Sequence, residues 1–170
     1  MSLDKTLRRV WQHPAGQGVL VILLTAVGAW LRLAAIDRLP PGLYRDEAYN
    51  GLDALHVLSA VQSGSLAEVP IFFEANNGRE PLFIYLLAAS VGIWGRSPGA
   101  LRFAAAVLGT ATIPAIYWLG KELFNRATGV VAAGLAVTTI WTLHLSRVAF
   151  RAVAMVPLMA VALALLWRGL

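Results

Sequence analysis

Two adjacent carboxylates, Asp46 and Glu47, stand in the stretch Pro40-Pro41-Gly42-Leu43-Tyr44-Arg45-Asp46-Glu47-Ala48-Tyr49-Asn50. Pro40, Pro41 and Gly42 break any helix arriving from the N-terminal side, and the sequence turns helical again from Asp46. The pair therefore falls in a first helical turn, where backbone N–H groups lack partners and the helix dipole favours negative charge. That environment keeps a carboxylate ionised and aimed outward from a helix end. Acidic residues also cap ordinary helices, so the pair draws its meaning from the residues around it. Arg45, Arg79, Arg102, Arg147 and Arg151, together with Glu80, recur where apolar runs begin or end. A guanidinium fork matches the oxygens of a phosphate. An acid among arginines at a membrane boundary suits chemistry on a lipid-borne phosphate. Adjacent carboxylates could also hold a hard cation, but two carboxylates alone are thin evidence and no metal site is assigned.

The elements that must position these groups are membrane helices. The 170 residues are 58% hydrophobic and 14% charged, and mean hydropathy is +0.67. Soluble domains carry roughly 25% charged residues, so the composition reads as an integral membrane protein. The formal charge of +5 reads as cytoplasmic anchoring plus an anionic ligand, not as nucleic-acid binding. Cysteine is absent, which excludes disulfides and thiolate chemistry. His13, His56 and His144 are too scattered to suggest metal-ligand spacing.

The fold class expected is all-α, a multi-pass transmembrane bundle with amphipathic helices in its first outer loop. Lys5, Arg8 and Arg9 against Asp4 put the N-terminus in the cytoplasm by the positive-inside rule. Spans are expected at about 17–36, 100–120, 129–146 and 152–168, within one module covering 1–170. Pro114 is tolerated inside the second. Arg32 is expected to snorkel from the end of the first span to the interface. In the outer loop, 37–99, a helix over 46–62 has Leu52, Leu55, Leu58 and Val61 on its apolar side and Asp46, Asn50 and Asp53 on another face. Residues 69–80, with Glu74, Asn76, Asn77, Arg79 and Glu80, form a polar turn. The apolar run 81–95 is too short to span and lies along the surface. That choice puts Lys121, Arg126 and Arg168 inside and gathers Asp46, Glu47, Arg79, Glu80, Arg102, Arg147 and Arg151 at the outer interface. The expected location is a bacterial plasma membrane. The chain stops directly after an apolar run at Trp167-Arg168-Gly169-Leu170, as the N-terminal module of a longer protein would.

The ordered set resembles a known superfamily. A first span leads to a loop opening with Asp46-Glu47. Then come Arg79-Glu80-Pro81-Leu82 before an aromatic-rich helix, a Gly-Arg-Ser-Pro…Arg102-Phe103 segment, a basic turn at Lys121–Arg126, and Ser146-Arg147…Arg151. It is similar to the N-terminal half of GT-C glycosyltransferases of the protein O-mannosyltransferase and lipid A aminoarabinose transferase type, over nearly all of 17–168. Where that family usually reads Lys/His-Pro-Pro-Leu, this chain has Arg79-Glu80-Pro81-Leu82. An Asp often found near the start of the fourth span is replaced by the Arg151-Ala152-Val153 context.

The resemblance implies a sugar donor on a polyprenyl phosphate, a hydroxyl acceptor of unknown identity and membrane lipids as surroundings; no cofactor is expected beyond the weakly supported divalent metal. Asp46 would act as general base in an inverting displacement. Arg79, Arg102, Arg147 and Arg151 would hold the departing phosphate, and Glu47 would orient Arg45 or the acceptor. The competing expectation is a non-catalytic membrane module or assembly partner whose arginines only meet lipid headgroups. A transporter is disfavoured, because the expected spans carry no acidic residue at mid-membrane depth.

Overall fold

The computed structural model of the chain describes residues 14–74 and 78–170. Asp4, Lys5, Arg8, Arg9 and His13 of the basic end, and Asn76 and Asn77 of the polar turn, lie outside the described residues. Among the described residues seven α-helices follow in order: α1 Pro14–Leu33, α2 Arg45–Gln62, α3 Pro81–Trp94, α4 Pro98–Leu123, α5 Arg126–Thr138, α6 Ile140–Leu145 and α7 Ala152–Gly169. Extended pairing among the described residues is limited to an isolated antiparallel bridge between Phe73 and Arg79. The all-α expectation holds. Helices α1, α4 and α7 are long and apolar enough to cross a bilayer, and the chain is an integral membrane protein.

Helix α4 is the axis of the bundle and packs against α1, α3, α5 and α7. Its start is fixed locally: the Ser97 hydroxyl accepts the Ala100 N–H at 3.0 Å, and Asp37 accepts the Gly99 N–H at 2.9 Å. Small residues then let its neighbours approach. A Cβ on Gly120 would lie 2.9 Å from the Gly129 Cα, so the α4–α5 hairpin closes backbone to backbone. A Cβ on Gly109 would overlap that of Ser146. The Gly109 contact seats Ser146, the first residue of the 146–151 turn, against α4.

Helices α2 and α3 pack on each other, through Ala54, Val57, Phe83, Ile84, Leu87, Ala88 and Val91. The buried stripe of α2 is Glu47, Asn50, Ala54, Val57 and Ala60. It differs from the apolar face expected from sequence, for Leu52 and Val61 are exposed. The small side chains of Ala54 and Ala60 admit α3, and partners elsewhere in the chain satisfy Glu47 and Asn50, so polarity does not keep that face out.

The single helix expected over 129–146 is two. Thr139 leaves helical geometry (ψ 123°) between α5 and α6. Around the break, Thr139 Oγ1 donates to the Leu135 carbonyl, and Thr142 Oγ1 to Ala136 and Thr139 at 2.9 and 2.8 Å. Such hydroxyls compete with the helical ladder. Arg32 takes part as well. Its Nη2 donates to Ala136 at 3.1 Å and its Nη1 to Gly28 at 3.0 Å. Arg32 is fully buried, so the snorkelling expected of it is replaced by a clasp on the break. Irregular backbone at membrane depth needs such donors.

Candidate functional site

The end of the bundle that carries the 34–44 loop, the start of α2 and the 146–151 turn is held by a continuous polar network. Glu47 is at its centre and 1% exposed. Its Oε1 accepts from Arg102 Nε at 2.8 Å and from the Ala149 N–H at 3.0 Å. Its Oε2 accepts from the Tyr44 N–H at 2.9 Å and from Arg102 Nη2 at 3.1 Å. The bond to Tyr44 is the backward half of a capping box, three residues from the N-cap. Burial pushes the Glu47 carboxyl upward, but the Arg102 hydrogen bonds, the two backbone N–H groups and the Arg102 charge outweigh it. Its pKa is therefore held below the ordinary glutamate value.

Arg102 reaches in the other direction too. It donates from Nη1 to Ile36 at 3.3 Å and to Pro40 at 2.8 Å, and from Nη2 to the Gly42 carbonyl. A guanidinium has five N–H donors, and those of Arg102 all meet protein acceptors. Arg147 is used similarly: Nη1 donates to Leu31 (2.5 Å) and Arg32 (3.2 Å), and Nη2 to Ala34 (2.8 Å) and Leu39 (3.2 Å). It satisfies carbonyls left open where α1 ends. Arg79 is buried, with Nη1 on Asn50 Oδ1 at 2.5 Å and Nη2 paired to Asp53. Asn50 in turn donates to the Ala149 carbonyl at 2.7 Å. Arg151 bridges Gly78 (3.0 Å) and Glu80 (3.1 Å), and this pair remains well exposed.

Of the residues expected from sequence, Asp46, Glu47 and Arg102 line one cavity of about 580 Å³, with Asp46 only partly buried. Arg45, Arg79, Glu80, Arg147 and Arg151 are not on that wall, and Glu47, Arg79, Arg102 and Arg147 are tied to protein groups. Arg45 is exposed and lies with its guanidinium carbon 5.8 Å from the centre of the Tyr49 ring. The cavity runs from Pro40–Tyr44 past Asp46 to Trp141, His144 and Val148. Trp141 and His144 were not among the sequence candidates. Only the break after α5 turns them toward Asp46, and a continuous span hides that signal. A second, mostly apolar groove of about 350 Å³ lies beyond Leu43 and Glu47, with Arg96 at its edge. Among the described residues no group of three or more His, Asp or Glu side chains could hold a metal ion.

A protein-family model described as dolichyl-phosphate-mannose-protein mannosyltransferase matches residues 78–170. No curated protein and no solved structure matches the chain.

Proposed function

Because the chain belongs to the dolichyl-phosphate-mannose-protein mannosyltransferase family, whose members are membrane glycosyltransferases, we propose that it builds the acidic half of a site for sugar transfer from a polyprenyl-phosphate donor. The observation that carries this reading is a cavity of about 580 Å³ at the start of α2, large enough for a sugar and an acceptor group, whose wall includes the partly buried Asp46 beside Glu47 and Arg102.

In the proposed step Asp46 takes the proton of an acceptor hydroxyl as that oxygen attacks the anomeric carbon. The bond from the anomeric carbon to the phosphate oxygen breaks, and the polyprenyl phosphate leaves with the electron pair. One displacement inverts the configuration. Glu47 and Arg102 act as positioning residues: they fix the first turn of α2 against the 36–42 loop and Ala149, which sets where Asp46 stands. The cations offered to the departing phosphate are Arg45, an exposed residue, and Arg151, whose side chain is 38% exposed, both outside the cavity wall. Arg102 is part of the cavity wall, and Arg79 and Arg147 hold the framework around it. The site lies on the non-cytoplasmic face, with the N-terminus in the cytoplasm.

Asp46→Asn in the protein that contains this chain is expected to abolish transfer from polyprenyl-phosphate mannose and leave membrane insertion unchanged. Transfer at the wild-type rate would remove Asp46 from the mechanism and leave a membrane module whose charges serve its fold.

A further inference from the structure

Helix α6 is six residues long, and the face it turns to the Asp46 cavity carries Trp141, His144 and Leu145, spaced i, i+3, i+4. The face continues into the following turn at Val148. Trp141 is 70% exposed, although it lies on the wall of a concave site that also holds a carboxylate and an imidazole. An uncovered indole in such a place has an apolar face with no protein partner and an N–H at its edge. Helix α6 is held at the break rather than loosely tethered: Thr142 and the buried Arg32 both bond the Ala136 carbonyl.

We propose that Trp141 and His144 form the sugar-recognising wall of this cavity, the indole stacking on the C–H face of a pyranose while the His144 ring bonds one of its hydroxyls. The proposal rests on the glycosyl-transfer reading and adds to it the residues that select the sugar part of the donor. Pockets of this kind combine an aromatic surface with a few fixed polar groups. The six-residue helix supplies both within one turn. An aromatic that only anchors the chain at the membrane interface would interact with lipid whether or not the lipid carries a sugar.

That difference is the test. The protein containing the full chain is placed in nanodiscs, and binding of polyprenyl-phosphate mannose is compared with binding of sugar-free polyprenyl phosphate. Trp141→Ala is expected to weaken the sugar-bearing lipid about tenfold, the scale of one aromatic contact, with the sugar-free lipid unchanged. Trp141→Phe should recover most of the loss, and His144→Leu should weaken only the sugar-bearing lipid. An equal loss for both lipids would make Trp141 an anchor and overturn the proposal, as would no loss for either. Failure of the underlying reading shows up separately: wild-type protein would bind the two lipids alike, or Asp46→Asn would transfer normally.

Discussion

Replacing Glu47 by Gln keeps the shape of the side chain and removes one acceptor and the charge. In the native network the two carboxylate oxygens accept four N–H groups, two from Arg102 and one each from Tyr44 and Ala149. Whichever oxygen becomes NH2, two of those four donors then face another donor. Arg102, itself 1% exposed, loses its only counter-charge in the pair. Breaking a buried pair by removing one partner costs about 3–5 kcal/mol. At roughly 2–4 °C per kcal/mol for a chain of this size, Tm should fall by about 6–20 °C. The assay is thermal unfolding in detergent or nanodiscs, run from pH 3 to pH 7. Because the folded pKa of Glu47 lies below its unfolded value, its contribution to stability is present above about pH 4.3 and lost as pH falls through the lower folded value. Wild type should therefore lose stability at acid pH more steeply than Glu47→Gln, and the two curves should converge. A Tm within 2 °C of wild type at pH 7, or parallel curves down to pH 3, would refute the reasoning.

Gly109→Ala places a Cβ against Ser146 and should destabilise by about 1–3 kcal/mol, with part of the loss recovered by Ser146→Gly in a thermal-shift comparison. Arg32→Met removes a donor from the Ala136 carbonyl at the helix break, so hydrogen exchange over residues 139–145 should rise while the middle of α4 stays protected. Unchanged exchange there would show that Thr142 alone holds α6. Arg147→Ala opens four carbonyls between Leu31 and Leu39 and should make the 34–44 loop measurably more susceptible to limited proteolysis, with little effect on α7.

Residue type and spacing are local quantities, and what they determined here is local. Apolar runs near the thickness of a bilayer, cut by Pro40-Pro41-Gly42, Ser63-Gly64-Ser65 and Gly95-Arg96-Ser97-Pro98, made the chain helical and membrane-bound and placed the helix starts within a few residues. They also put Asp46 and Glu47 in a first helical turn, where α2 begins at Arg45. That Glu47 is the carboxylate drawn into the network with Arg102 and Ala149 could not be read there. Neighbours on a helix point about 100° apart, and the partners that decide the matter, Arg102 and Ala149, lie 55 and 102 residues away in sequence. The same distance explains the arginines. Their guanidinium groups look alike in sequence, but the open carbonyls that claim Arg102 and Arg147 exist only once α1 has ended against α4 and the 146–151 turn. The break at Thr139 is likewise decided by tertiary partners. Its threonines offer the local hydroxyl donors, and Arg32 on α1 adds a second donor to the Ala136 carbonyl that sequence spacing does not reveal.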